Sequence, residues 1–479
     1  MPVIPFPVGI EGIEHLPHTR RSLTNCFNNG AGQILSRPGI DRLNTTGKVA
    51  RGQFVWSGSL YQVVSQTLIK VRTDGSFSDV GAITGNANIV TAVGFNHAVI
   101  LVPGGDIFTL DAADTITLIS GNTNFVPSDS VAHINGRFVY IPTDGDPAYF
   151  SDVGAAGTVQ GVSFFDAEEL PDKNEVTFNL NNTLYIGGTD SFELFRDTGS
   201  SPNPFQRLSG ARISAGYIGG LIAFDQTFFF IGRLKDQSFG IFGIAQGRAP
   251  KLSNEPIDLI LSEYTESELA TSVTNRFVWR GYDIVTFTLK RHSFGLFNGQ
   301  WFFMDTLIDN KPAPWKGGFI TQFGGDYFTA SEGNIGKLVR SNQDYGNPIS
   351  KIIDFGFEQA DGDYFSCQEL GMSISQGYTS GGIGGIIGGG FNTGFSNGFN
   401  KSTEISYPKE RTVGLFMSRD NVLYGNGVYR NIGHIGEYSQ ILEWNLPGGL
   451  GSYQGFMGFR IYTTQDVEFN TDRMNASFR

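Results

Sequence analysis

The 479 residues predict an all-β chain: a β-propeller of six blades, within a range of five to seven, with an N-terminal extended arm and a C-terminal antiparallel β-domain. Three observations lead there. Short runs alternate apolar and polar residues with the period of two that a half-buried strand requires. Pairs such as Asn135-Gly136, Asn181-Asn182 and Asn298-Gly299 separate them, and these residues tolerate the positive φ that a tight hairpin turn demands. Glycine, at 64 residues, stands at about twice its average share, so chain reversals must be frequent.

Residues 1–50 read as the arm, packing on the C-terminal domain. They hold Arg20-Arg21 and the turn Arg37-Pro38-Gly39 but no sustained periodicity. The propeller is expected over 51–342. Its first blade contains Gln53-Phe54-Val55-Trp56, Leu60-Tyr61-Gln62-Val63-Val64, Leu68-Ile69-Lys70-Val71 and Phe77-Ser78-Asp79-Val80, with Asp74-Gly75 before the last strand. Four short strands within about thirty residues is blade spacing. A second set spans 89–119, and a third spans 131–150 with Asp144-Gly145 at a turn. A fourth spans 176–195, and a fifth spans 221–242 with Asp225-Gln226 at its reversal. The sixth is a hairpin unit, Phe277 to Met304, closed by 319–339.

A helix precedes that hairpin. Thr265 and Glu268 have the spacing of a capping box, and Tyr264 can staple onto Leu269. Beyond residue 342 a sandwich-like domain is expected over 343–479, interrupted by a glycine-rich loop at 380–400 with Phe391, Phe395 and Phe399 spaced along it.

Charge is unevenly distributed. Residues 1–73 carry eight bases and three acids, whereas 74–197 carry seventeen acids against Arg137, Lys173 and Arg196, a local net of −14 within an overall −12. Such a stretch either solvates blade edges or forms a surface that must not bind polyanions. Asp144, Asp146, Asp166, Glu168 and Glu169 are the acids we nominate for a channel wall. Carboxylate pairs among them would also suit a glycosidase, a reading that needs a defined separation.

Other chemistry finds little support. His15, His18, His97, His133, His292 and His434 are scattered without metal-ligand spacing, and Cys26 and Cys367 fit buried apolar roles better than a disulfide. No phosphate loop or nucleophile elbow occurs, and no basic stripe is interleaved with aromatics. No catalytic residue, metal or cofactor is therefore expected. The first residues lack the basic and apolar regions of a signal peptide, and no apolar run reaches bilayer length, so the expectation is cytoplasmic synthesis without membrane insertion.

Four motifs, in order, carry a resemblance. Asn25 is followed by Ser36-Arg37-Pro38-Gly39-Ile40; next comes Thr183 to Phe195 with its Glu193-Leu194-Phe195 ending. Tyr264-Thr265 with Ala270 follows, and then Ser418-Arg419-Asp420-Asn421-Val422-Leu423-Tyr424-Gly425. Together these resemble the tail-nozzle, or packaged-DNA stabilisation, proteins of short-tailed phages. Asn421 stands where the family tends to glycine, and asparagine accepts the same left-handed backbone. The resemblance implies a structural virion protein in a ring, expected to be a hexamer, that forms the distal tail tube, retains packaged double-stranded DNA and conducts it during ejection. The implied partners are a portal-adaptor protein, tail fibres or spikes, and a needle or plug. The competing expectation is a carbohydrate-binding or carbohydrate-cleaving propeller on a tail tip.

Overall fold

The computed structural model describes residues 3–13, 16–120, 124–166, 172–208, 212–224, 226–234, 238–244, 248–358, 364–376, 412–432, 440–451, 455–465 and 467–478. The chain forms two compact units. One comprises Met1–Asp41, His292–Trp315 and Leu338–Arg479; the other comprises Arg42–Arg291 and Lys316–Lys337.

The Arg42–Arg291 unit is the propeller. Its first four sheets are antiparallel and four-stranded, formed by Ala50–Trp56 through Phe77–Ala82, Val90–Val93 through Ile116–Leu118, Ser128–Ile134 through Phe164–Phe165, and Asn174–Leu180 through Phe205–Arg207. A three-stranded sheet follows, Gly216–Phe224, Thr227–Arg233 and Phe239–Ile244. Then come the hairpin Val273–Trp279 with Tyr282–Thr288, and the strand group that starts Phe319–Phe323 and Asp326–Ser331. The six-blade expectation, with its range of five to seven, is met by this arrangement. Its last expected unit divides into the hairpin and the 319–331 group, which lie in different sheets.

Why consecutive sheets stay together follows from where their apolar residues point. Leu68, Ala98 and Ile100 belong to one buried cluster between the first and second sheets, and Val99, Val131 and Tyr140 to the next. Ile141, Phe150, Leu184 and Phe205 fill the third interface, and Phe192, Phe228, Phe230 and Phe242 the fourth. Leu60, Ile69, Phe328 and Ile335 close the ring by joining the last strand group to the first sheet. Polar ties run beside this apolar packing. Trp56 Nε1 donates to Gly94 O at 2.9 Å, and Ser130 Oγ donates to Thr177 O at 3.3 Å. Thr274 Oγ1 donates to Leu221 O, Asn275 Nδ2 to Gly318 O, and Gln53 Nε2 to Phe328 O. Each of these bonds ends on a backbone carbonyl of a neighbouring sheet or its connection, so side chains as well as apolar packing join successive sheets.

The turns obey the chemistry read from the sequence. Asn135 and Gly136 have φ of 48° and 81°, and Asn181 and Asn182 have 52° and 59°. Asp225 lies outside the described residues, as does the glycine-rich segment 380–400.

The second unit contains two sheets packed face to face, antiparallel except where Leu16–Thr24 pairs in parallel with Gln300–Phe303. One includes Val3–Pro5, Arg473–Phe478, Ser366–Gln376 and Gln440–Gly451; the other includes Leu16–Thr24, Lys351–Glu358, Phe456–Thr463 and Thr412–Ser418. Phe355 meets Phe6 at 5.0 Å between ring centres, and Phe357 stacks on Phe478 at 4.5 Å. Both cysteines are free and buried.

The division differs from 1–50, 51–342 and 343–479. Residues 292–315 and 338–342 leave the propeller for the other unit, and 42–50 join the propeller. The hairpin Ser293–Phe297 with Gln300–Phe303, turning at Asn298-Gly299 (φ 48° and 77°), buries aromatic surface on the arm. Phe27 lies 5.1 Å from Phe297 and 5.6 Å from Phe302, and Asn25 N donates to Phe303 O. Asn44 Nδ2, by contrast, donates to Gly75 O, and Thr46 N donates to Gly333 O, which fixes that stretch in the propeller.

Candidate functional site

The acidic segment 74–197 runs from the last strand of the first sheet to the third strand of the fourth, so the negative charge occupies one sector of the propeller. Within that sector the carboxylates divide between the two ends of the sheets. At the end where the first strand of each sheet finishes, aspartates build turns. Asp74 Oδ1 accepts from Ser76 Oγ at 2.7 Å and Ser76 N at 2.9 Å, and Asp111 Oδ1 accepts from the N–H groups of Ala113 and Thr115, both at 2.9 Å. The hydroxyl bond from Ser76 holds the Asp74 carboxyl below the usual carboxylate range, and the Thr115 N–H does the same for Asp111.

The opposite end carries three of the five nominated acids. Asp144 and Asp146 lie in the connection between Arg137–Pro142 and Ala148–Phe150, and Asp166 directly follows Phe164–Phe165. Strand alternation therefore brings all three to one end of the third sheet. Asp144 and Asp166 are exposed. Asp146 is half-buried and accepts from Asn174 Nδ2, tying the third sheet to the fourth. Glu168 and Glu169 lie outside the described residues. Neighbouring acids at this end also secure connections. Asp106 accepts from Thr84 Oγ1 at 2.6 Å, Asp129 from Thr143 Oγ1 at 3.0 Å, and Asp172 from Asp190 N and Ser191 N at 3.1 and 2.9 Å. The sector thus combines exposed charge with charge held in loop architecture. Among the described residues, no group of three His, Cys, Asp or Glu side chains is placed to hold a metal ion.

A buried polar centre in the other unit carried no signal that short-range reading could detect. Arg37 and Asp344 form a bidentate pair, Nη1 to Oδ1 at 3.0 Å and Nη2 to Oδ2 at 2.6 Å, with both side chains fully buried. Arg37 Nε donates to Asn25 Oδ1 at 2.7 Å, its Nη2 also donates to Asp305 O at 2.6 Å, and its guanidinium lies 5.3 Å from the Trp315 ring centre. Asn25 Nδ2 reaches Ser350 O at 2.6 Å and also donates to Asp305 Oδ1. Burial pushes the Asp305 carboxyl above its ordinary range, against the Asn25 and Ser350 hydrogen bonds and the Arg37 charge that pull it down.

The family model described as "Bacteriophage P22 Gp10, beta-propeller" matches residues 11–343, which includes the whole propeller unit. The chain belongs to this phage stabilisation family. That makes it a phage structural protein with a β-propeller, and its setting is the virion. No curated protein sequence matches the chain. Among solved structures it is similar to a computationally designed protein, Ika8, at 9% identity and a TM-score of 0.38, covering 63% of this chain and 99% of that one. It is also similar to an extracellular domain assigned to a hybrid two-component system of B. thetaiotaomicron (11% identity, TM-score 0.43, 69% of this chain and 43% of that one). A third is PorZ, a surface component of the type-IX secretion system of Porphyromonas gingivalis (13% identity, TM-score 0.36, 68% and 44%). The chain spans less than half the length of the last two.

Within this stabilisation-family chain, the motifs that resemble the family do local structural work. Asn25 adopts φ 58° at the buried centre just described, and Arg37 is that centre's cation. Glu193 is buried and pairs with Arg207 at 2.8 Å. Asn421 has φ 58°, and Asp420 Oδ1 accepts from Val422 N and Leu423 N, both at 2.9 Å. Thr265 caps a five-residue helix, Glu266–Ala270 (α2 below), with reciprocal bonds: Glu268 N to Thr265 Oγ1 and Thr265 N to Glu268 Oε2, both 3.3 Å. A longer helix, Glu255–Ser262 (α1), precedes it and was not expected. Asn254 as its cap, with Pro256 in its first turn and Glu255 and Asp258 beside it, is the signal that marks its start.

Proposed function

We propose that this chain is the subunit of the distal tail tube, or nozzle, of a short-tailed phage, assembled as a hexameric ring that retains packaged DNA and conducts it during ejection. The observation that carries the reading is the family match over 11–343, which takes in the entire propeller. The acidic sector supports it. Duplex DNA gains affinity wherever Lys or Arg displaces its counterions, so an acid-rich surface leaves DNA free to slide. The partners on this reading are a portal-adaptor ring, fibres or spikes, and a needle or plug, and no catalysis is required of the chain itself.

Electron microscopy of the purified protein and of particles that lack it tests the proposal. Rings with a central channel, and particles that package DNA and then lose it when the protein is missing, are the expected results. Monomers that bind or cleave polysaccharide, together with particles that keep their DNA without the protein, would overturn it in favour of the carbohydrate reading.

A further inference from the structure

A small cavity of about 180 Å³ opens at the end of the propeller where the first strand of each sheet begins. Glu175 comes from the start of Asn174–Leu180, Thr189 from the turn after Thr183–Gly188, Tyr217 from Gly216–Phe224 and Arg233 from the end of Thr227–Arg233. The remaining side is α2, through Glu266 and Ala270. Glycine makes this geometry possible. A Cβ on Gly216 would lie 1.9 Å from Thr189 O, and one on Gly219 would lie 2.5 Å from Leu269 O, so neither the turn nor α2 could otherwise come so close.

The wall chemistry is selective because its charges are already compensated. Glu175 pairs with Lys173 at 3.2 Å, and Arg233 pairs with Glu266 while its Nε donates to Thr189 O at 3.2 Å. An ionic ligand would have to break one of these pairs, or sit beside them without a counter-charge. Spare capacity remains for hydroxyl groups. The Tyr217 phenol and the Thr189 hydroxyl have no hydrogen-bond partner among the described residues, and the paired carboxylates retain lone pairs. Burial, with Glu175 nearby, pushes Tyr217 well above the ordinary phenol range, so its hydroxyl keeps its proton and donates at neutral pH. Ala270 and Ile218 supply apolar surface.

We propose that this cavity binds one neutral sugar unit, a hexose or N-acetylhexosamine, with ring hydroxyls bonded by Tyr217, Thr189 and the two carboxylates and a C–H face on Ala270. The size admits one pyranose ring. Alternating donors and acceptors suit hydroxyls, which do both, and paired charges disfavour uronic or amino sugars. The site stands on the propeller's own geometry and does not depend on assembly into a tail tube.

Saturation-transfer NMR on the full chain, with neutral hexoses, N-acetylglucosamine and glucuronate as probes, tests it. At least one neutral sugar should bind in the millimolar range and glucuronate should bind more weakly. Tyr217→Phe keeps the ring and removes one hydroxyl, so it should weaken binding about three- to tenfold. Ala270→Leu, at an exposed position, should fill the cavity and abolish binding. Circular dichroism confirms that both variants are folded. No signal from any neutral sugar at millimolar concentrations would overturn the proposal. So would equal signals from wild type and both folded variants, or tighter binding of glucuronate.

Discussion

Replacing Asp344 with Asn separates the buried charge of Arg37 from its counter-ion at almost constant volume. In the native unit the guanidinium makes two bonds to Asp344, at 3.0 and 2.6 Å, and its remaining partners are neutral oxygens: Asn25 Oδ1, Pro38 O and Asp305 O. Thr306 Oγ1 also donates to Asp344 Oδ2 at 2.8 Å. An asparagine offers one acceptor oxygen where two stood, and it turns an amide donor toward other donors. With both native side chains fully buried, solvent cannot compensate, so the cost belongs in the buried-pair range of about 3–5 kcal/mol and not the ~0–1 kcal/mol of an exposed pair. Urea unfolding followed by tryptophan fluorescence reads this directly, because Trp315 lies against the Arg37 guanidinium. The double variant Arg37→Met with Asp344→Leu removes both charges and should recover most of the loss. A single-variant loss below about 1 kcal/mol would refute the reasoning, because it would mean that water reaches the pair.

Thr265→Ala removes the acceptor for Glu268 N and should cost about 1 kcal/mol, read as a lower denaturant midpoint; an unchanged midpoint would mean that the capping box contributes nothing. The Asp305 carboxyl is raised in the folded chain, so the folded state binds its proton more tightly than the unfolded state does. Wild-type stability relative to Asp305→Asn should therefore rise as pH falls from about 7 toward about 4, and a flat or opposite difference in pH-dependent melts would exclude this. Asp144→Lys with Asp166→Lys places two bases on the exposed end of the third sheet. If that end faces DNA, release from particles should slow most at low salt, where screening is weakest, and ejection like wild type would remove it from the channel wall.

What could be read from the sequence was what neighbours along the chain determine. Asn135-Gly136 and Asn298-Gly299 specify their turns because positive φ is a local property, and the capping box of Thr265 and Glu268 is complete within four residues. Helix α1 was equally local but short. Its cap, Asn254, lies among residues that also resemble a loop, and only Pro256 and the first-turn acids tip the balance. The domain boundary was out of reach for a different reason. Residues 293–303 have the pattern of any blade hairpin, and their membership of the other unit depends on Phe27, more than 260 positions away. Asp146 illustrates the same limit within the acidic sector. An aspartate at a turn looks like free charge until Asn174, from the next sheet, is seen to bond it.

The motifs that resemble the family divide between scaffold and cavity wall in this structure. Thr189 and Ala270, from two of these motifs, line the propeller cavity; Asn25, Arg37, Thr265 and Asn421 instead fix backbone, by a left-handed φ, a buried ion pair or a helix cap. Their cost of replacement is therefore paid in folding. Spare chemistry lies on exposed Asp144 and Asp166 at the end of the third sheet, and on Tyr217 and Thr189 in the cavity at the same end of the next two sheets. Asp144 and Asp166 are exposed, so substitution there changes what the surface meets while leaving the scaffold standing, whereas Thr189, whose N–H donates to Lys173 O, and Tyr217, packed on the cluster of Phe228 and Phe230, also belong to the scaffold. On the nozzle proposal, exposed positions of this kind are the ones that would meet DNA. That places the test of function at the loop end of the propeller, with variants of Asp144 and Asp166 expected to fold like wild type.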